Sequence, residues 1–204
     1  NTERPRNVLV GDLVDAPSGA RQVEPQPCPD PLLNGARGRA GVEAHGAAQE
    51  EGGIEEAERE VGIGQRRLLA ALVDPGREVL VPDPGYPGYR HFVRAFEGRA
   101  RPLPVNSVSA FQPSVEGVRA AWGPATAGLI LGSPSNPTGT VIDPGELRRI
   151  AAFIESRNGF LIVDEIYHGL TYEIDASTAC AAGDDIWVIN SFSKYFQMTG
   201  WRLG

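Results

Sequence analysis

Short apolar segments alternate with helix-like segments through most of this chain, and this alternation is the feature that most restricts its fold. Four apolar segments are E-V-L-V-P, A-G-L-I-L-G, G-F-L-I-V-D-E and I-W-V-I-N-S, at residues 78–82, 127–132, 159–165 and 186–191. Continuous apolar strands are typical of parallel sheets, because crossover helices bury both faces of such a sheet. A fifth segment, residues 100–105, contains two prolines and is therefore expected at a sheet edge.

The segments between these strands have the sequence pattern of helices. Residues 66–73 form one pattern that D-P-G ends, another helix is expected to begin at or after Pro87, and a third is expected at residues 113–122. The clearest helix is residues 143–156, where Asp143 can cap the first turn. The order strand, helix, strand predicts an α/β fold, a mostly parallel sheet with helices on both faces.

Residues 1–60 differ in composition from the rest of the chain. Every aromatic residue lies at or beyond Tyr86, and residues 34–60 are mostly Gly, Ala, Arg and Glu. Such a stretch buries too little apolar surface to offset the entropy lost on ordering. We therefore expect residues 1–60 to be a poorly ordered or aberrant segment, with an out-of-frame reading as one hypothesis. Residues 61–204 are expected to form part of a globular domain.

Charge and composition exclude several classes of function. The net charge of −7 argues against a nucleic-acid surface. No apolar run is long enough to cross a membrane, and the N-terminus lacks the apolar core of a signal peptide. Cys28 and Cys180 lie far apart and the histidines are scattered, so metal-ligand spacing is missing. These features predict a cytoplasmic protein without nucleic-acid or membrane partners and without a metal site.

Polar clusters follow the predicted strands at their carboxyl ends. They are P-D-P-G-Y-P-G-Y after residue 81, S-P-S-N-P-T-G after residue 132, D-E-I-Y after residue 163 and S-F-S-K after residue 190. In open α/β sheets, ligands bind beyond the carboxyl ends of the strands. The clusters are therefore expected to converge on one edge of the sheet.

Lys194 is the only lysine in the chain, and the other 18 basic residues are arginines. It lies between hydroxyl and aromatic side chains in N-S-F-S-K-Y-F, with Arg202 eight residues further on. Burial lowers the pKa of a lysine, and a neutral amine can form a Schiff base with a carbonyl compound. A surface lysine next to core aromatic residues is the alternative.

Pyridoxal 5'-phosphate is a cofactor whose chemical needs these clusters can meet. It requires an amine for its aldehyde, a carboxylate for its ring nitrogen, donors for its ring hydroxyl, a flat group over the ring and an anion site. Lys194 is the candidate amine, and Asp164 is the candidate carboxylate. Asn136 and Tyr167 could donate to the ring hydroxyl, Tyr86 could stack on the ring, and Ser191 with Arg202 could bind the phosphate. Each of them also has an ordinary structural alternative, such as a turn, a cap or a core aromatic.

Four motifs in this order resemble those of the class I/II aminotransferases, which are fold-type I pyridoxal-phosphate-dependent enzymes. The motifs are P-G-Y-P-G-Y, S-N-P-T-G, D-E-I-Y and S-F-S-K…G-W-R-L-G, at residues 84–89, 135–139, 164–167 and 191–204. The resemblance implies that Lys194 holds the cofactor as a Schiff base and shuttles a proton. It assigns the ring nitrogen to Asp164, the ring oxygen to Asn136 and Tyr167, ring stacking to Tyr86, and the phosphate to Ser191 and Arg202. It also makes Asn136–Pro137 a candidate cis bond.

The resemblance further implies an incomplete large domain without the C-terminal small domain, amino acid and 2-oxo acid substrates, and a homodimer. Three departures accompany it. The spacing before the first helix is short for a phosphate-binding turn, and no aromatic residue precedes Tyr86. The small domain with its carboxylate-binding arginine is expected to be absent from this chain. A carbon–sulfur lyase of the same fold, or a non-catalytic remnant or sensor domain, remains an alternative to an aminotransferase.

Overall fold

The computed structural model describes residues 63–201 and 203–204, so Arg202 and the segment 1–60 lie outside the described residues. In that part of the chain the helices are α1 (Ile63–Leu72), α2 (Gly88–Ala95), α3 (Val115–Ala121) and α4 (Pro144–Ser156). The strands are β1 (Glu78–Asp83), β2 (Arg99–Pro104), β3 (Thr126–Gly132), β4 (Phe160–Asp164) and β5 (Ile186–Ile189). Short 3₁₀ turns occur at Ser107–Ser109, Ala179–Ala181 and Thr199–Trp201.

The strands form one sheet in the order β2-β1-β3-β4-β5, and every neighbouring pair is parallel. The proline-containing strand β2 lies at an edge, as the sequence predicts. Proline has no N–H to donate to a sheet ladder, and an interior strand needs donors toward both neighbours. In register, Gly132 pairs with Asp164, and Asp164 pairs with Ile189. The ends of β3, β4 and β5 are therefore level at one edge of the sheet.

Alternating side chains of the central strands pack into two apolar layers. Leu129 and Leu131 of β3 pack with residues of α3 and α4, whereas Ile130 packs with residues of α1 and α2. The predicted α/β fold with helices on both faces is thereby confirmed. Burying each such side chain contributes about 1.5–3 kcal/mol, so the two layers are the main source of stability.

Side-chain caps explain where α3 and α4 begin. The Glu146 amide donates to Oδ1 of Asp143 at 2.8 Å, and Pro144 occupies the first turn of α4, as predicted. Helix α3 begins at Val115 rather than at residue 113, because Ser114 is extended and its Oγ accepts from the Gly117 amide at 3.1 Å. Strand β5 ends at Ile189, two residues before the predicted end, where the side chain of Asn190 accepts from the Ser191 amide.

Among residues 63–201 and 203–204, every helix is too short or too polar to span a lipid bilayer.

Candidate active site

The strand order reverses between β1 and β3, because the chain passes from β1 outward to β2 and then returns to β3 on the other side of β1. Such a reversal opens a crevice at the carboxyl ends of the strands, and this crevice is the usual ligand site of an open α/β sheet. Tyr86 follows β1, Asn136 follows β3, Asp164 ends β4, and Lys194 follows β5. These four predicted residues thus lie at one edge of the sheet.

Asp164 is a buried carboxylate, only 5% exposed, at the last position of β4. Residues two apart on a strand share a face, so Asp164 lies on the side of Ile162, which is covered by α1 and α2. Both helices supply donors: Gln65 Nε2 and the Tyr89 hydroxyl reach Oδ2 of Asp164 at 3.0 and 2.9 Å. The Ile166 amide donates to Oδ1 at 3.2 Å.

Burial raises the pKa of Asp164, and the hydrogen bonds from Tyr89, Gln65 and Ile166 only partly oppose this rise. Burial, and then the charge of Asp164, raises the pKa of Tyr89 well above its usual value, so Tyr89 keeps its proton and remains a donor. No ion pair between described residues includes Asp164. The Asp164 carboxyl therefore has oriented donors but, among the residues that the structure describes, no opposite charge, which a protonated ring nitrogen would supply.

Lys194 lies beyond β5, next to the end of β4. Its Nζ is 5.7 Å from the centre of the Tyr167 ring, and Tyr167 follows Asp164 by three residues. The side chain of Lys194 is half-buried. The structure therefore brings the predicted amine and the predicted ring-oxygen donor into contact at the edge that carries Asp164.

Tyr86 is half-buried and meets Tyr89 edge-on, with 5.2 Å between ring centres and an interplanar angle of 81°. Its ring also lies against the backbone of Gly88, the first residue of α2. A Cβ at Gly88 would lie 2.4 Å from Cε1 of Tyr86, closer than real Cβ contacts. The absence of a side chain at residue 88 is therefore what allows the Tyr86 ring to take this position.

Asn136 lies in the turn between β3 and α4, and its bond to Pro137 is cis, as the sequence comparison with the family leads us to expect. The turn is closed by two backbone hydrogen bonds, from Ser135 N to Thr140 O at 2.9 Å and from Gly139 N to Ser135 O at 2.7 Å. Among described residues, the amide of Asn136 has no hydrogen-bond partner within the protein. It is thus available to a ligand.

Ser191, the predicted phosphate ligand, takes part in a local network. Its Oγ lies 2.6 Å from Oγ of Ser193, accepts from the Ser193 amide at 3.0 Å and donates to Leu203 O at 3.2 Å. Arg202, the other predicted phosphate ligand, is outside the described residues. The position of Ser191 between β5 and Lys194 keeps it at the candidate site, but a phosphate would compete with these hydrogen bonds.

Gln65 and Tyr89 are site residues that the sequence reasoning missed. A signal for them existed, because alternation along β4 puts Asp164 on the face of Ile162, and right-handed crossovers decide which helices cover that face. Glu165, the residue after Asp164, has the opposite orientation. It is 2% exposed, and its carboxylate accepts from the Ala179 amide at 2.5 Å and from the Thr178 hydroxyl at 3.0 Å.

Glu165 anchors the segment that follows Tyr167. Burial raises its pKa, while the Ala179 amide and the neighbouring His168 lower it. Nδ1 of His168 lies 3.4 Å from Oε2 of Glu165. The buried Nε2 of His168 has no hydrogen-bond partner among described residues. The carboxylate therefore joins the end of β4 to the turn Ala179–Ala181, and it holds Tyr167 between these two fixed points.

Two cavities, of about 780 and 910 Å³, open at the opposite end of the sheet, near the first residues of β3, β4 and β5. None of the predicted site residues lines either of them. No group of three or more potential metal ligands occurs among the described residues. The carboxyl edge remains the candidate site, because within residues 63–201 and 203–204 a buried carboxyl, an available amide and an amine meet only there.

The residues at this edge fit pyridoxal phosphate. Buried Asp164 has no positive partner in the part of the chain that the structure describes, the amide of Asn136 is available, and Lys194 adjoins Tyr167. A cationic ring nitrogen, a ring oxygen and an aldehyde would match these three groups respectively.

Comparisons with known proteins show the family to which the chain belongs. The family model described as aminotransferase class I and II matches residues 63–204. The valine–pyruvate aminotransferase of Mycobacterium tuberculosis is 43% identical over 141 residues, and a probable N-acetyl-LL-diaminopimelate aminotransferase of Bacillus subtilis is 40% identical over 135 residues. These matches cover 67% and 65% of this chain.

Solved structures give the same result. The structure of an aminotransferase from Mycobacterium tuberculosis matches with a TM-score of 0.65 and 40% identity over 71% of this chain. The aspartate aminotransferase of Thermus thermophilus with maleate matches with a TM-score of 0.65 and 34% identity over 69% of the chain. The chain spans only 36% and 34% of the two sequence relatives, and 38% of each of these structures.

Proposed function

Because the chain belongs to the class I and II aminotransferase family, we propose that it carries the pyridoxal-phosphate site of an aminotransferase. The reaction exchanges the amino group of an amino acid for the oxo group of a 2-oxo acid. Members of this family generally depend on pyridoxal phosphate. The observation that carries the proposal is the buried carboxylate of Asp164, without a positive partner among described residues, on the strand beside the one that leads to Lys194.

Seven residues would hold the cofactor. Lys194 would bind its aldehyde carbon covalently, and Asp164 would accept a hydrogen bond from its ring nitrogen. The remaining contacts are assigned by the resemblance: ring stacking to Tyr86, the ring oxygen to Asn136 and Tyr167, and the phosphate to Ser191 and Arg202. When bound, the cofactor supplies an electron sink that stabilises negative charge on the α-carbon of the substrate.

The remaining steps depend on side chains of the protein, which transfer a proton or orient the groups that contact the cofactor. Once the amino group of the substrate has displaced Lys194 from the aldehyde carbon, the free Lys194 amine would take the proton from the α-carbon and carry it on Nζ, as a general base does. Tyr89 and Gln65 donate to Oδ2 of Asp164 and fix its orientation, and these bonds favour the ionised carboxylate that would pair with a cationic ring nitrogen. Glu165 holds the segment that carries Tyr167.

Amino-group transfer is favoured over carbon–sulfur cleavage because the relatives described above are named as aminotransferases. We propose that the substrates are an amino acid and a 2-oxo acid and that the protein forms a homodimer. The two reactions share the same covalent link to the cofactor, so a product assay with amino acid and 2-oxo acid, against a sulfur-containing amino acid, separates them.

Covalent capture of the cofactor tests the proposal directly. The protein is incubated with pyridoxal phosphate, reduced with borohydride and digested, and the modified peptide is mapped. Lys194 is the only lysine, so the N-terminal amine is the only other primary amine that can be labelled. We expect the label on Lys194 at cofactor concentrations that leave the N-terminus unmodified.

A variant with Lys194→Ala provides the control, because it retains the N-terminal amine. It should lose the peptide label and the absorbance of the bound cofactor together. Labelling of the N-terminus alone in the unaltered chain, or equal labelling in both proteins, would contradict the proposal.

A further inference from the structure

Gln112 is a buried polar residue, 5% exposed, that belongs to none of the motifs at the site. It follows the turn Ser107–Ser109, on the segment between β2 and α3. Its side-chain Nε2 donates to Thr140 O at 2.8 Å, and it lies 3.3 Å from both Gly132 O and Thr140 Oγ1. One amide therefore bridges the last residue of β3 and a residue eight positions further along the chain.

These two acceptors are the two ends of the turn that carries Asn136. Gly132 ends β3, and Thr140 accepts the Ser135 amide that closes the turn. Thr140 Oγ1 is also hydrogen-bonded to Oγ1 of Thr138 at 2.9 Å. The amide of Gln112 thus closes the base of the turn from outside it, while the side chain of Asn136 remains available at its tip.

The backbone before Gln112 is held in an unusual conformation. Ala110 and Phe111 both have positive φ, at 50° and 55°, a region that residues with a side chain rarely adopt. Such strain persists only where the surrounding contacts enforce it. The side chain of Asn106 accepts from Val108 N and Ser109 N and fixes this segment. The conformation of this segment therefore places the Gln112 amide at the base of the turn.

We propose that Gln112 is a positioning residue that fixes the conformation of the turn carrying Asn136, and so orients the Asn136 amide toward the cofactor's ring oxygen. This inference rests on the proposed function for its effect on the cofactor. Gln112 makes no contact with reactants. It acts through Asn136, and loss of its donor group removes one hydrogen bond from each end of the turn.

The test compares Gln112→Leu with Ser114→Ala, a variant two residues away. Ser114 caps α3 through the Gly117 amide and donates nothing to the turn, so its loss lowers stability without freeing Asn136. Hydrogen exchange of the Ser135 and Gly139 amides reports the turn itself. We expect exchange about tenfold faster in Gln112→Leu and unchanged in Ser114→Ala, both measured relative to global unfolding.

A double-mutant cycle tests the route of action. We expect Gln112→Leu to raise the dissociation constant for pyridoxal phosphate about tenfold, an effect of one or two hydrogen bonds. In an Asn136→Ala background, the same change should have almost no further effect. Additive losses in the cycle, unchanged exchange in Gln112→Leu, or equal effects from Ser114→Ala would each overturn the inference.

Failure of the proposed function gives a different result. If the unaltered chain is not labelled at Lys194, the assigned cofactor is wrong, whereas exchange of the turn amides still decides whether Gln112 fixes the turn.

Discussion

The hydroxyl of Tyr89 donates a 2.9 Å hydrogen bond to Oδ2 of Asp164, a residue 75 positions further along the chain. This bond joins α2 to the end of β4 beneath the candidate cofactor site. It lowers the pKa of the carboxyl, while the burial that surrounds it raises that pKa. The position of the charge at the centre of the site therefore depends on a residue outside the predicted set.

Replacement of Tyr89 by Phe should destabilise the protein and raise the pKa of Asp164 further. The change leaves a buried carboxyl oxygen with one donor fewer, and a hydrogen bond to a carboxyl contributes about 1.5–3 kcal/mol when the carboxyl is charged. Urea unfolding at pH 7 measures the loss. Tyr172→Phe is the matched control, because Tyr172 is 84% exposed and should change the unfolding free energy by less than about 0.5 kcal/mol. Equal losses in the two variants would contradict this account.

Replacement of Asp164 by Asn should reduce the pH dependence of stability. Because burial raises the pKa of Asp164 in the folded chain, the folded state binds more protons than the unfolded state between the two pKa values. Stability contributed by this group is therefore present below the unfolded pKa and is lost as pH rises through the folded pKa. Unfolding free energies measured from about pH 3.5 to 7 should fall less steeply in Asp164→Asn.

The same variant should take up pyridoxal phosphate poorly, because a neutral amide cannot pair with a cationic ring nitrogen.

Burial also raises the pKa of Glu165, so Asp164→Asn should retain part of the fall in unfolding free energy with pH, and a double variant with Glu165→Gln should retain less. An unchanged slope in both variants would show that neither carboxyl controls acid-range stability.

Replacement of Gly88 by Ala should weaken cofactor binding more than it changes stability. The new Cβ would lie 2.4 Å from Cε1 of Tyr86, so the ring must move from its present position. Alanine favours a helix over glycine by about 0.5–1 kcal/mol, which offsets part of the strain in α2. We expect a dissociation constant for pyridoxal phosphate about tenfold higher, a change of about 1.4 kcal/mol.

Gly117→Ala is the control for this prediction. Gly117 lies in α3, and its added Cβ would come no nearer than 3.2 Å to Oγ of Ser114. Cofactor titration by absorbance should show unaltered affinity for Gly117→Ala. Equal affinities of Gly88→Ala and the unaltered chain would mean that the Tyr86 ring does not contribute to binding.

Replacement of Glu165 by Ala should loosen the segment that carries Tyr167. It leaves the buried Ala179 amide without its acceptor and removes one partner of Thr178, at a cost of about 1–3 kcal/mol for an unsatisfied group. Glu165→Gln keeps an oxygen for the Ala179 amide and should lose less. Hydrogen exchange of the Ala179 amide, measured beside urea unfolding, distinguishes the two. Identical exchange in both variants would argue against the role of this acceptor.

Local patterns predicted most of the secondary structure. The cap at Asp143, the edge position of β2 and the continuous apolar strands each depend on residues that are neighbours in sequence or on a simple period. The predicted end of β5 was wrong by two residues, because the side chain of Asn190 takes the Ser191 amide into a turn. Residue type alone does not decide between a strand and such a turn.

Contacts between distant elements could not be predicted in the same way. The motifs pointed to Asp164 and Lys194, but they gave no sign that Gln65 and Tyr89 meet on one carboxylate oxygen. Gln112 was equally hidden, because its acceptors belong to a turn 20 and 28 residues away. These contacts depend on which helix covers which face, and that information is held by the topology rather than by a local period.

The bonds from Gln65 and Tyr89 to Asp164 span 99 and 75 residues, and this separation has a kinetic consequence. Chain segments so far apart must lose their loop-closure entropy before either bond can form, and folds dominated by such distant contacts reach the native state slowly. During refolding, tyrosine signals from Tyr89 should therefore mature late, after helix formation is complete.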